Sequence, residues 1–270
     1  MGDGPEPTTA GGWIMALTVL DATRHSDLRL KKNSDFSFAR ERMMVPVWGQ
    51  EIPQAARFFP VVFMPKDGTW IPMALMGLQQ GQNPCVSAKG KWLADYIPAV
   101  LRAHPFYSID SAEGEPVLGI DEEDPALTRE VVLEEESLAL FEDDGEPSEL
   151  TCTALRVLEQ IRAQQQTTWA VTDILAELGL LVPWQPRGQA SGTASSQLYA
   201  VDEAAIKALD DESFLRLREP GALPLIYSHL VSLKRFETLE KQQSQLWLAA
   251  TQGASNALFS QNSDLFVFGE

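Results

Sequence analysis

The chain has 270 residues, 44% of them hydrophobic and 22% charged, which suits one large or two modest folded domains and excludes general disorder. Its 38 acidic residues outnumber its 21 basic ones, so the net charge is −17. Such a surface repels nucleic acid and anionic membranes, because affinity for phosphate depends on Lys and Arg. We therefore expect no nucleic acid as a partner, and a basic protein or peptide as the favoured one.

The expected location is the cytoplasm. Acidic residues, Asp3 and Glu6, stand where a signal peptide would be basic. No segment approaches the roughly 20 apolar residues that a bilayer span requires. Two cysteines cannot build a disulfide framework, and we expect both to behave as small packed side chains.

The sequence contains no recognisable catalytic or cofactor motif. It lacks a GxSxG nucleophile elbow, a phosphate-binding P-loop and a GxGxxG fingerprint. Its histidines and cysteines, none of them at metal-ligand spacing, are His25, His104, His229, Cys85 and Cys152. We therefore expect no metal and no cofactor, name no catalytic residue, and lean towards a protein that is not an enzyme.

The residue pattern of the N-terminal part predicts a flexible leader over residues 1–20 and a β-rich half over residues 21–147. Candidate strands are Met44–Trp48, Pro60–Met64, Trp70–Leu78, Phe106–Ile109 and Val117–Ile120. The Asp67-Gly68 pair between the strands Pro60–Met64 and Trp70–Leu78 predicts a tight hairpin, because glycine accepts a positive φ. Short helices are expected at Pro53–Phe58 and Ala94–Ala103.

The segment from residue 121 to 149 is strongly acidic and contains two prolines. This composition predicts a solvated connection with a short edge strand at Leu138–Phe141. We expect it to form the boundary between the β-rich half and a helical half over residues 148–250. A mobile tail is expected over residues 251–270.

The helical half begins where the apolar period changes after Ser148, a good N-cap residue. The predicted helices are one from Ser148 to about Ile161, Thr168–Leu178, a helix capped by Asp202, Glu212–Leu217 capped by Asp211, and one from Pro224 to about Ala250. Strands at Leu181–Trp184 and Leu198–Val201 are too short to stand alone, so both halves are expected to share one core. The fold class is α+β: an antiparallel β-rich N-terminal half packed with a mainly helical C-terminal half.

Four aromatic residues of the β-rich half are candidates for a ligand groove: Trp48, Trp70, Trp92 and Tyr96. Exposed Trp and Tyr concentrate binding energy, although packing in the core explains the same residues. His104 joins the candidates; at the end of a predicted helix it also suits stabilisation of the helix dipole. His229 lies on an apolar helix, where we expect a packed, hydrogen-bonded ring, whereas His25 is expected in a polar loop.

The acidic candidates are Asp121, Glu122, Asp143 and Asp144, which we expect on the surface. The turn from Glu142 to Glu146 surrounds a glycine with oxygen ligands, as calcium loops do. An EF-hand needs a bidentate Glu six residues after that glycine, and Thr151 occupies the position. A solvated acidic turn is therefore expected instead of a calcium site.

Several stretches together resemble the SapC family of bacterial proteins. In chain order they include His25–Arg29, Asp35–Arg40, Phe59–Phe63, Pro72–Leu78, Tyr96–Arg102, Ile120–Glu123, Phe141–Pro147, Leu178–Trp184 and Leu209–Phe214. The resemblance implies an accessory protein of a Gram-negative bacterium, with gene neighbours that include flavin-dependent halogenases, cupin-like oxygenases and TonB-dependent receptors. The family name suggests a part in the secretion of surface-layer protein. No catalytic residues of the family are available to carry over.

Three functions remain open on the sequence. The preferred one is a non-catalytic accessory protein that binds a peptide, a sugar-related ligand or a partner enzyme. The second is an enzyme with an unrecognised site that acts beside a halogenase or oxygenase. The third is a component of surface-layer protein secretion.

Overall fold

The computed structural model describes residues 17–32, 35–79, 81–111, 114–130, 137–185, 198–218, 221–246 and 248. Residues 1–16 of the predicted leader and the whole predicted tail, residues 251–270, lie outside these described ranges. Antiparallel sheets come mostly from the N-terminal half and helices from the C-terminal half. The α+β class is therefore confirmed, while the boundaries of the two halves stay a prediction.

The strands of the described residues form three antiparallel sheets. They are β1 (Leu17–Val19), β2 (Arg29–Lys31), β3 (Met44–Pro46), β4 (Val61–Lys66), β5 (Thr69–Leu75), β6 (Phe106–Asp110), β7 (Pro116–Asp121), β8 (Leu127–Thr128), β9 (Ser137–Ala139), β10 (Leu181–Pro183) and β11 (Tyr199–Val201). The main sheet has the order β10-β11-β4-β5-β3, and the two smaller sheets have the orders β1-β7-β6 and β8-β2-β9.

The helices are α1 (Ala22–His25), α2 (Ile52–Ala55), α3 (Ala99–Arg102), α4 (Glu149–Glu177), α5 (Glu203–Lys207), α6 (Asp211–Arg218), α7 (Ala222–Ser232) and α8 (residues 236–246). Single 3-10 turns occur at Ser37–Ala39, Gly49–Glu51 and Leu233–Arg235. The last of these turns separates α7 from α8, so the predicted single helix from Pro224 onward is interrupted.

The hairpin between β4 and β5 confirms the prediction from Asp67-Gly68. Both residues have positive φ, +51° and +81°, as a type I′ turn requires. The strands pair in continuous register from Val61 opposite Ala74 to Lys66 opposite Thr69.

Two of the predicted helix boundaries were wrong for identifiable reasons. The helix expected from Ala94 begins only at Ala99, because Pro98 disfavours helical backbone in the residue before it and now occupies the N-cap. The two helices expected on either side of residues 162–167 are one helix, α4, because that stretch contains neither Pro nor Gly. Ser148 caps α4 as predicted, and Gly179 follows its end with a φ of +65°.

Helix α4 connects the two largest hydrophobic clusters. Its N-terminal part contributes Ala154 and Leu158 to a cluster with β6, β7 and the β8-β2-β9 sheet. Its C-terminal part contributes Val171 and Leu175 to the cluster beneath the main sheet. At 1.5 Å per residue the helix spans about 43 Å, so it reaches both clusters.

The main sheet itself joins the two predicted halves, because the short β11 pairs with β4 through Tyr199 and Phe63. Next to this single pair, His229 of α7 bridges the two strands. Its Nδ1 lies 2.7 Å from the carbonyl oxygen of Val61, and its Nε2 accepts the amide N–H of Val201 at 3.0 Å. Val61 O can only accept a hydrogen bond, so Nδ1 carries the proton and the ring is neutral.

The surroundings of His229 reinforce this bridge. Ser232, one turn further along α7, accepts the amide N–H of Val61 at 2.9 Å. The imidazole is completely buried against the Phe63 ring, and burial lowers its pKa to about 4. His229 is thus the packed, hydrogen-bonded histidine that the sequence predicts.

Candidate functional site

The aromatic candidates lie at separate positions in and around the large cluster beneath the main sheet. Trp48 is buried, and its ring meets the Trp169 ring edge-on at 6.1 Å. Trp70 is partly buried and packs on Tyr199 of β11 at 4.6 Å. Trp92 is buried and packs against Phe36. These contacts are those of core residues, and the ligand groove stays a prediction.

Trp92 and Tyr96 share one hydrogen-bonded network with Glu51, a residue that the sequence did not single out. The Trp92 indole donates to the carbonyl oxygen of Tyr96 at 3.0 Å, and the Tyr96 hydroxyl donates to Glu51 Oε1 at 2.8 Å. The same oxygen accepts the amide N–H of Ala99 at the start of α3. Burial raises the pKa of Glu51, and burial next to Glu51 raises the pKa of Tyr96. The network joins the Gly49–Glu51 turn to α3.

His104 forms a mostly buried pair with Asp124. Its Nε2 lies 2.6 Å from Asp124 Oδ2, and its ring stacks on Phe38 at 3.5 Å between centroids. Burial alone would raise the pKa of Asp124, but the hydrogen bonds from His104 and from the amide of Ala126 outweigh it and lower the pKa. An imidazole oriented by a carboxylate is a pairing that general bases use. Here the pair links the Ser37–Ala39 turn to the acidic segment, and a ligand-binding role for His104 stays a prediction.

Helix α1 organises the first part of the acidic surface, contrary to the polar loop expected around His25. The His25 ring is completely buried; its Nδ1 accepts the amide N–H of Asp21, and its Nε2 donates to Glu122 Oε1, each at 3.1 Å. The Arg24 guanidinium lies 2.9 Å from the same carboxylate. Burial alone would raise the pKa of Glu122, but the bond from His25 and the charge of Arg24 lower it. Glu122 is therefore held as an anion next to α1.

The second part of the acidic surface is the turn from Glu142 to Glu146. The bridge between Phe141 and Pro147 closes this turn, and the amide of Glu142 donates to Glu146 O at 2.8 Å. Asp143 and Asp144 at its tip are exposed. A Cβ on Gly145 would lie 3.9 Å from that of Ala22, so this turn also lies against α1.

The turn at residues 121–124 and the turn at residues 142–146 thus flank the same short helix. We call Asp121, Glu122, Glu123, Glu142, Asp143, Asp144 and Glu146 the acidic face. The segment 121–149 contains thirteen of the 38 acidic residues of the chain but a single basic one, Arg129. Arg129 forms an ion pair with Asp27, and Arg24 forms one with Glu122, so both cations are already engaged.

The short edge strand predicted at Leu138–Phe141 is present as β9, but the rest of the prediction, a solvated connection, needs correction. Strands β8 and β9 of this segment both pair with β2, Leu30 lying opposite Leu127 on one side and Leu138 on the other. The buried Leu127, Leu140 and Phe141 belong to the hydrophobic cluster shared with α4. The residues of the acidic face are therefore carried by a folded backbone.

The clefts among the described residues include the following three. An open one of about 520 Å³ lies beside β8 between Lys31, Glu122 and Arg129. A narrow one of about 20 Å³ lies between β7 and α4. The third, about 430 Å³, lies between the Gly49–Glu51 turn, α4 and the start of α7. Glu122 is the one predicted site residue that contributes to a wall of these clefts.

Within the described ranges, no group of three or more His, Cys, Asp or Glu side chains is arranged to hold a metal ion. In the same part of the chain, no helix combines the length and the apolar composition needed to cross a membrane.

Fold and surface together define an acidic α+β protein in which two acidic turns flank a short helix. The family model named SapC matches residues 20–239, most of the chain, and the protein belongs to the SapC family. Comparison with curated proteins and with solved structures gave no match.

Proposed function

We propose that this SapC-family protein is a non-catalytic accessory protein that binds a cationic protein or peptide on its acidic face. The observation that carries the proposal is the concentration of thirteen acidic residues and one basic residue in residues 121–149. Strand pairing fixes the described backbone of this segment, and the seven residues of the acidic face all lie in its described part. Charges held on an ordered backbone lose little conformational freedom when a partner binds. They also speed the approach of a positively charged partner.

The local ion pairs support this proposal. Arg24 is paired with Glu122 and Arg129 with Asp27, so these two cations neutralise only part of the surrounding charge. The tip of the second turn, Asp143 and Asp144, is exposed. A partner with several Lys or Arg residues supplies the counter-charge that the segment itself lacks. The cytoplasmic location and the halogenase, oxygenase and receptor gene neighbours stay predictions.

The proposal is tested with two variants of equal net charge. In the first, the acidic-face carboxylates become amides: Asp121→Asn, Glu122→Gln, Asp143→Asn and Asp144→Asn. The amide oxygens preserve acceptors for His25 and for the backbone of both turns. In the control variant, four exposed acids elsewhere are changed in the same way: Asp173→Asn, Asp211→Asn, Glu212→Gln and Glu237→Gln.

Calorimetry with a synthetic Lys-rich peptide measures the binding at physiological salt. The loss of four charges on the acidic face, each contributing about 0.3–0.5 kcal/mol, predicts roughly tenfold weaker binding by the first variant. The control variant should bind the peptide almost as tightly as the natural protein does. Equal weakening of both variants would show that only the net charge matters and would contradict a dedicated face.

A further inference from the structure

We infer that the cleft between the Gly49–Glu51 turn, α4 and the start of α7 binds a neutral sugar. The cleft has a volume of about 430 Å³, within the range of roughly 300–1,000 Å³ common for small-molecule sites. This inference is independent of the acidic face, because the two regions share no residues.

The chemistry of the cleft walls favours an uncharged ligand. None of the described residues that line the cleft is charged, although 22% of the chain is charged and its net charge is −17. The one carboxylate of the adjoining turn, Glu51, is engaged with Tyr96 and Ala99. A charged ligand would therefore lose hydration without gaining a counter-charge there.

The polar groups of the cleft are held in place before any ligand arrives. Thr168 Oγ1 accepts the amide N–H of Gly49 at 2.7 Å and donates to the carbonyl oxygen of Gln164 at 2.6 Å. Gln164 Oε1 accepts the amide N–H of Gln50 at 3.1 Å. Gly49 has a φ of +47°, and a Cβ there would lie 1.8 Å from Gln164 Oε1, so this close approach requires glycine.

The hydrogen bond from Gln50 identifies which atom of the Gln164 side-chain amide is the oxygen and which is the nitrogen. Its oxygen is fixed by Gln50, whereas its Nε2 makes no hydrogen bond to another described residue and offers two N–H donors at the cleft. The side-chain amide of Gln50 adds groups that donate and accept. The Thr167 hydroxyl donates to the carbonyl oxygen of Ala163 at 3.3 Å and adds an acceptor. Sugar hydroxyls need both kinds of partner.

Apolar surface completes the match to a sugar ring. Val171 of α4 and Pro224 of α7 line the same cleft. Such side chains pack against the C–H groups of a sugar while amides and hydroxyls bind its edge. Mostly apolar walls with a few placed polar groups are the usual composition of small-molecule sites.

Two tryptophans next to the cleft provide a readout of binding. Trp48 precedes Gly49 and Trp169 follows Thr168 in the chain, and their rings are in edge-on contact. A sugar that displaces water and orders the turn should change the fluorescence of this pair. The probes are maltose and N,N′-diacetylchitobiose as neutral disaccharides, with glucuronic acid and glycylglycine amide as comparison ligands.

The test compares the natural protein with Gln164→Glu and Gln166→Glu. Gln164→Glu keeps an oxygen for Gln50 but replaces the two N–H donors by a negative charge. Gln166 is exposed on the same helix outside the cleft wall, so its variant is a matched control for charge. Saturable binding of at least one disaccharide is expected with Kd on the order of 1 mM. Gln164→Glu should weaken it about tenfold or more with an unchanged Tm, and Gln166→Glu should not.

Any of three results would overturn the inference. If neither disaccharide gives a saturable signal, the cleft is not a sugar site. Equal effects of the two Glu variants would place the sugar elsewhere on the protein. Tighter binding of glucuronic acid or of glycylglycine amide would contradict the neutral-sugar class. Thr167→Val removes one exposed hydroxyl from the cleft and serves as a second test if Gln164→Glu lowers Tm.

Discussion

Replacing His229 with alanine is expected to lower the free energy of unfolding by about 4 kcal/mol, a large fraction of the stability of a typical folded domain. The change removes the partner of two buried backbone groups, the carbonyl of Val61 and the amide of Val201. Each unsatisfied buried group costs about 1–3 kcal/mol, and the cavity left by the ring adds to this. Urea unfolding followed by circular dichroism measures the loss.

Val231→Ala is the matched control for this variant. Val231 lies on the same helix two residues further along, but 69% of its surface is exposed. Its truncation should change the free energy of unfolding by no more than about 0.5 kcal/mol. A His229→Ala protein as stable as the control would show that α7 does not hold β4 and β11 together.

The second large effect is a loss of stability in acid that depends on His229. The pKa of this buried ring is about 4, against 6.5 for an unperturbed histidine. Between these pH values the unfolded chain binds a proton that the folded protein excludes. The contribution of His229 is therefore complete above pH 6.5 and decreases as the pH falls towards 4, by about 3 kcal/mol in all.

His229→Gln isolates this effect from the many carboxylates of the chain. Glutamine does not titrate, yet it both donates and accepts hydrogen bonds. We expect the variant to be less stable than the natural protein at pH 7 and to lose about 3 kcal/mol less on acidification from pH 7 to 4. Parallel stability curves for the two proteins over this range would refute a neutral, buried His229.

Features of the fold that depend on neighbouring residues were predictable from the sequence. The turn at Asp67-Gly68 requires residues that accept positive φ, and the caps Ser148 and Asp202 satisfy amides two or three residues away. The N-cap predicted for α6 was wrong by one residue. The side chain of Asp210, and not that of Asp211, accepts the amide N–H of Ser213. The residues around Ser232 contain no signal for the 3-10 turn that follows it and interrupts an otherwise continuous apolar helix.

Only the composition of the candidate site was predictable from the sequence, because its contacts join residues that are far apart in the chain. The acidic composition of residues 121–149 is visible in the sequence, but its folding is not, because β2 is about 100 residues away from its partners β8 and β9. His25 looks like a loop residue until Glu122 is placed 3.1 Å from its ring. In the sequence Glu51 cannot be distinguished from an exposed acid. The structure shows that Tyr96 and Ala99 donate hydrogen bonds to its carboxylate. These assignments need the tertiary structure.

The central claim, that the acidic face is where a cationic partner binds, is tested most directly by carbodiimide cross-linking of the full chain to the Lys-rich peptide. This reagent joins a lysine amine to a carboxylate in direct contact without adding a spacer, and mass spectrometry then locates the bond. We predict cross-links concentrated at Asp121–Glu123 and Glu142–Glu146. Cross-links spread over exposed acids such as Asp173, Glu212 and Glu237 in proportion to their exposure would contradict the account.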